Sequence, residues 1–160
     1  MLGTVQRVRW ALLAYRLPRE PSTPRIALWR KLRRIGAVQV LDGLVALPLD
    51  SRAREQLEWL AGDVVEAGGE ASVWIAEATT RAQERTLAST MAGAVAQEYA
   101  EVAQQARFAI GQDGPVRRRT LSRLRRELRR IRGRDYFPPP EKQEAEDAVE
   151  SLARAMEVAS

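Results

Sequence analysis

The apolar residues of roughly the first 78 positions change spacing in a fixed order: two, three-to-four, two, two, three-to-four, two. Few architectures accommodate that order, because each strand or helix must bury its apolar side against a neighbour. Val8, Trp10, Leu12 and Ala14 alternate with Arg7, Arg9, Ala11 and Leu13, which predicts a first strand ending at Pro18. Thr23 before Pro24 is a helix start, the hydroxyl capping free amides and the proline losing no hydrogen bond at the first helical position. Leu28, Trp29, Leu32 and Ile35 then form one helical stripe, stopped at Gly36.

Ala37 to Leu41 and Leu44 to Leu49 flank Asp42-Gly43, a pair that favours the type I′ turn of a tight hairpin. A second helix opens at Asp50 or Ser51, carries Leu57, Leu60, Ala61, Val64 and Val65 on one side, and ends at Gly68-Gly69. Ala71, Val73 and Ile75 give a fourth strand. The expected fold class is therefore α+β, a ferredoxin-like βαββαβ domain over residues 1–78. Its four tryptophans, Trp10, Trp29, Trp59 and Trp74, fall one per element and are expected mostly to build the core, since each can bury ~150–250 Å². A base-stacking platform is the sharper alternative for them.

Residues 79–160 are read as a helical extension. Thr80-Arg81-Ala82-Gln83 has the form of a capping box opening a helix of about 30 residues with Leu87, Met91, Val95, Tyr99, Val102, Ala106 and Ile110 in its stripe. A helix that long reaches ~45 Å and needs other helices to cover it. Two follow, an arginine-rich one at 116–133 and an acidic one at 141–158, separated by a proline-rich link. The first has a narrow Leu121, Leu124, Leu128, Ile131 seam, and the second an Ala145, Val149, Leu152, Met156 stripe with Glu141, Glu144, Glu146, Asp147 and Glu150 around it.

Charge is segregated along the chain. The net +5 divides into about +6 over 1–50, −4 over 51–112, +8 over 113–134 and −5 over 135–160. Ten arginines lie between Arg117 and Arg134, more than five acids of an antiparallel neighbour can neutralise. A charge-matched hairpin is one reading and phosphate-backbone contact by the residual basic face is the other, and the two are compatible. The expected DNA-binding set is Arg117, Arg118, Arg119, Arg123, Arg125, Arg126, Arg129 and Arg130, helped by Arg30, Lys31, Arg33 and Arg34 of the first helix if the two basic blocks share a face. At the start of that helix Arg16, Arg19, Ser22, Thr23 and Arg25 form a candidate oxyanion site, with the backbone amides of Arg25 and Ile26 assisted by the helix dipole.

Cysteine and histidine are both absent, which removes disulfides, Cys/His zinc sites, thiol nucleophiles and His-dependent triads. No cofactor or metal motif is present and no enzyme is expected. No apolar run approaches the roughly 18 residues of a membrane span, and Trp10-Ala11-Leu12-Leu13-Ala14 lacks a signal-peptide cleavage site, so a cytoplasmic protein is expected.

Trp10 to Pro24, especially Tyr-Arg-Leu-Pro-Arg-Glu-Pro-Ser at 15–22, together with Trp29-Arg30-Lys31-Leu32, Leu41 to Pro48, Glu55 to Leu60 and Arg134-Asp135-Tyr136-Phe137-Pro138, resemble the N-terminal domain of ChrB-type chromate-resistance proteins. The hairpin region is also similar to PaaX-type repressors and, more distantly, to the CRISPR-associated Cas2 fold. The resemblance implies a regulator of a chromate-resistance operon that controls an efflux transporter, and a homodimer is expected. Proteins of this type carry a second, C-terminal domain, so the resemblance implies a DNA-binding, dimerising or accessory role for residues up to Ser160, with a separate ChrB-type C-terminal domain as candidate partner. It implies no nuclease, because Ala14-Tyr15-Arg16 stand where a metal-binding carboxylate is needed. The alternative from another class is a protein interaction module that does not touch nucleic acid.

Overall fold

The computed structural model describes residues 7–158. In chain order it comprises β1 (Arg9–Arg16), α1 (Thr23–Ile35), β2 (Val38–Leu41), β3 (Leu44–Pro48), α2 (Ser51–Glu66), β4 (Glu70–Glu77), α3 (Arg81–Ile110), α4 (Gly114–Gly133) and α5 (Glu141–Val158). Masses of contact divide the chain between Ser89 and Thr90, inside α3.

The first unit is a four-stranded antiparallel sheet in the order β2-β3-β1-β4. That order places β3 between β1 and β2, the split βαβ arrangement of a ferredoxin-like fold. Directly opposed residues share a sheet face, so Ala11 and Leu13 lie with Leu47 and Val45, all of them buried. Leu28 and Leu32 of α1 and Ala53, Leu57, Leu60 and Val64 of α2 are buried with them.

Local chemistry sets the element ends. Asp50 caps α2, its carboxylate accepting from the Ala53 amide at 2.6 Å. The hairpin turn is not type I′: only Gly43 has positive φ (77°), whereas type I′ requires it at both central residues. A Cβ on Gly43 would stand 2.5 Å from the Tyr15 carbonyl oxygen, because the Tyr15 amide donates to the Gly43 carbonyl at 2.8 Å. The hairpin tip is thus bonded to the end of β1 through bare backbone.

The expectation for the tryptophans is overturned. Trp10 is 2% exposed, but Trp29, Trp59 and Trp74 are 54%, 74% and 59% exposed. Leu28 and Leu32 take the inward side of α1, and Trp29, one residue round the helix from Leu28, points away; Leu57, Leu60 and Val64 do the same to Trp59 and Val65 in α2. A small two-layer domain is filled by leucine and valine before its large aromatics are used.

The second unit has one core. Val95, Tyr99, Val102, Ala103, Ala106 and Ala109 of α3 pack with the Leu121, Leu124, Leu128, Ile131 seam of α4 and with Ala145, Ala148, Val149 and Leu152 of α5. Alanines on α3 and α5 let the helices approach closely around larger residues of α4. Asp113 caps α4, accepting from the Val116 amide at 2.9 Å.

Candidate nucleic-acid interface

Helix α4 carries nine arginines and one acid, Glu127. Its four buried residues occupy one side, so the helical period distributes the arginines over the remainder. Arg119, Arg123, Arg126 and Arg130 follow one another at four, three and four positions and form the outermost row. That row extends for ~16 Å along the helix axis. Arg118, Arg125, Arg129 and Arg132 form a second row beside it, and all eight side chains are exposed.

Few of these charges are neutralised. Arg132 donates to Glu146 of α5 at 3.1 Å, and Arg130 is 3.4 Å from Glu127 on its own helix. Arg123 donates to the uncharged Gln105 side chain at 2.8 Å. Glu150, which borders the same groove as Arg125 and Arg129, is taken by Arg154 of its own helix at 2.7 Å. Among the described residues Arg118, Arg119, Arg125, Arg126 and Arg129 form no ion pair. Among the described residues Arg132–Glu146 is the ion pair that joins the hairpin across its two helices, and a basic face survives it. Arg117 differs from the other arginines, being half-buried with its Nε out of solvent, so it borders the packed side.

Behind the basic rows the start of the link is tied to α3. Arg134 donates through Nε and Nη2 to the Glu98 carboxylate, at 3.2 and 2.6 Å. The Tyr99 hydroxyl donates to Asp135 at 2.8 Å. Burial first, and the Asp135 carboxylate second, push the Tyr99 hydroxyl far above its ordinary 10.0. Sequence reading missed Glu98 and Gln105 and took Tyr99 only as a stripe residue; a pair of consecutive residues answering Arg134-Asp135 has no recognisable spacing at a separation of 36 positions.

The basic residues of α1 are less free. Lys31 is bonded to Asp63 at 2.8 Å, and the Arg33 guanidinium lies 4.8 Å from the Trp29 ring centroid. Arg30 borders a cleft of about 850 Å³ between α1, the end of β1 and the hairpin, while Arg34 borders a groove of about 350 Å³ beside Trp59.

The candidate oxyanion residues are only partly assembled. Arg16 and Arg25 border the larger cleft, but Arg19, Ser22 and Thr23 do not. Arg16 is bonded to Glu70 at 2.7 Å. Ser22, not Thr23, occupies the cap position of α1, in a helical conformation without a capping bond, and Thr23 is already helical. The Ile26 amide donates to the Ser22 carbonyl at 3.1 Å and is unavailable to an anion, which leaves the Arg25 amide of the expected pair. Burial raises the Tyr15 hydroxyl above its ordinary value; Arg25 opposes the shift and Asp42 adds to it.

No solved structure matches the chain. It is 36% identical over 66 residues to Protein ChrB of Cupriavidus metallidurans, a stretch covering 41% of this chain and 20% of that protein. The family model described as Protein ChrB, N-terminal, matches residues 25–113, from α1 to the cap of α4. Helix α4 itself, with its basic face, lies beyond that match. With more than half of its length covered by that model, the chain belongs to the ChrB N-terminal family.

Proposed function

We propose that this protein is a DNA-associated regulator, or accessory regulator, of chromate resistance, working in the cytoplasm by binding and not by catalysis. The observation that carries the DNA part is the face of α4, where Arg118, Arg119, Arg125, Arg126 and Arg129 are exposed and without ion pairs among the described residues. Arginine rows of this kind neutralise phosphates and release condensed counterions whatever the sequence. Membership of the ChrB family supports the link to chromate, the relative in hand being five times the length of the matched stretch. Repression of an efflux operon, and cooperation with a ChrB-type C-terminal domain, belong to the same reading.

Fluorescence anisotropy with a labelled duplex over a series of salt concentrations tests it. Affinity should fall with a log-log slope of roughly −0.9 per phosphate contacted. Joint reversal of Arg125, Arg126 and Arg129 to glutamate should abolish most of that slope; unchanged binding would transfer the argument to the interaction-module reading. That second reading draws on the exposure of Trp29, Trp59 and Trp74, three large aromatics that a domain of this size leaves at its surface. The oxyanion part draws on Arg16 and Arg25 at the larger cleft, and calorimetric titration of chromate and sulfate into the protein and into an Arg16→Ala, Arg25→Ala variant tests it. Equal heats in both proteins remove that site.

A further inference from the structure

The sheet of the first unit has two edges of opposite character. β2 is four residues long, with an irregular register between Gln39 and Leu41. Short, bulged edges resist pairing with another chain. β4 is eight residues long and pairs with β1 at eight consecutive positions without a bulge. It contains no proline, lysine or arginine, and its two acids are at its ends, Glu70 and Glu77, opposite Arg16 and Arg9 of β1. The six residues between them, Ala71 to Ala76, are uncharged. Among the described residues β4 pairs with no strand but β1. On this strand Trp74 is 59% and Ile75 is 43% exposed, on opposite faces. Among the described residues this edge therefore has neither the bulge, the proline nor the basic side chains that commonly protect one.

We propose that β4 is a self-association surface, and that its partner is the β4 of a second copy, paired antiparallel to join the two sheets. The alternation of side chains sets the possible registers. Antiparallel edge pairing places the two-fold axis perpendicular to the sheet, and directly opposed residues must share a face. Even-numbered residues of β4 therefore oppose even-numbered ones, and one residue lies opposite its own counterpart. Glu70 cannot oppose Glu77, so the like-charge clash that the two ends threaten is forbidden by parity. With Trp74 on the axis, Ser72 faces Ala76 and Val73 faces Ile75 of the other copy. The two most exposed apolar residues of the strand are then covered together, Trp74 by its counterpart and Ile75 by a β-branched partner, a favourable class of cross-strand pair. With Val73 on the axis instead, Trp74 faces Ser72 and Ile75 faces Ala71, which covers both less well. The edge thus complements itself, which is the argument for a second copy over a foreign strand.

The test uses the full chain. Sedimentation equilibrium should give a monomer–dimer equilibrium, and Trp74→Lys should weaken the dimer by roughly tenfold or more, because two like charges then meet at the axis. Trp59→Lys, on α2, should leave it unchanged; far-UV circular dichroism and cooperative urea unfolding verify that each variant folds. The chain has no cysteine of its own, so introduced thiols report position cleanly. A Ser72→Cys chain mixed with an Ala76→Cys chain should give a mixed disulfide dimer on mild oxidation, while Ser72→Cys mixed with Glu66→Cys of α2 should not. A monomer at every concentration, a dimer indifferent to Trp74→Lys, or absence of the 72–76 cross-link overturns the proposal. The inference goes beyond the DNA reading and does not need it: the glutamate-reversed α4 variant should dimerise like the parent even if neither binds DNA.

Discussion

Tyr99 and Asp135 are joined by a hydrogen bond of 2.8 Å between a side chain with no exposed surface and a carboxylate at the end of the arginine helix. Their neighbours Glu98 and Arg134 are joined as well, so two consecutive residues of α3 hold two consecutive residues of the link. This double tie fixes where α4 ends. The other Asp135 oxygen is buried and lacks a protein partner, so the tyrosine bond matters more to this carboxylate.

Tyr99→Phe should therefore lower the unfolding free energy by about 1–3 kcal/mol, the cost of leaving a buried acceptor without its donor. Urea unfolding should show a lower midpoint with an unchanged slope. Loss of the phenol ring is not involved, so the core of the second unit stays filled.

The same bond makes stability depend on alkaline pH. The Tyr99 hydroxyl titrates above the 10.0 of an unfolded tyrosine, so the folded state keeps its proton longer than the unfolded state does. The contribution is complete below pH 10 and is lost as pH rises from there toward the folded value. The unfolding free energy, measured from neutral to strongly alkaline pH, should decline above about pH 10 in the parent and less steeply in Tyr99→Phe.

Gly43→Ala should cost about 1–3 kcal/mol, because φ at this residue is 77° and the new Cβ would meet the Tyr15 carbonyl oxygen at 2.5 Å. Gly62→Ala, on α2 with open space around its Cβ position, should instead gain about 0.4–1 kcal/mol. Thermal and urea unfolding of the two variants distinguish them by sign.

Individual arginines of α4 should contribute unequally to DNA binding. Arg126→Ala should reduce the salt slope by about one unit, as loss of one phosphate contact does. Arg132→Ala should change it less, because that guanidinium is already engaged by Glu146. Equal slopes for both variants would show that the basic rows do not meet the phosphates.

Emission should reveal one protected indole and three open ones. A variant retaining only Trp10 should emit at shorter wavelength and resist acrylamide, whereas variants retaining only Trp29, Trp59 or Trp74 should be quenched readily. Iodide should quench Trp29 most strongly, since Arg33 stands over its ring and attracts the anion.

Much of the fold follows from the amino-acid sequence alone, because its signals are local. Alternation in β1 and β4, the Gly36 stop, the Asp50 cap and the Leu121, Leu124, Leu128, Ile131 seam each depend on residues within one or two turns of one another. The arginine content of α4 is likewise local, and a helix with one apolar seam must display the other residues. What only the tertiary structure decided involves competition between distant segments for a limited interior. Leucines and valines of α1 and α2 occupy the volume the tryptophans were expected to fill. Glu70 removes Arg16 from the supposed anion site across 54 positions, and the Ser22 carbonyl takes the Ile26 amide once the helix begins one residue earlier. Which arginines remain uncompensated was decided in the same way: Glu150 selects Arg154 on its own helix and leaves Arg125 and Arg129 open. Periodicity specifies which side of an element is apolar, but burial is finite, and only packing determines which apolar or charged groups obtain a partner.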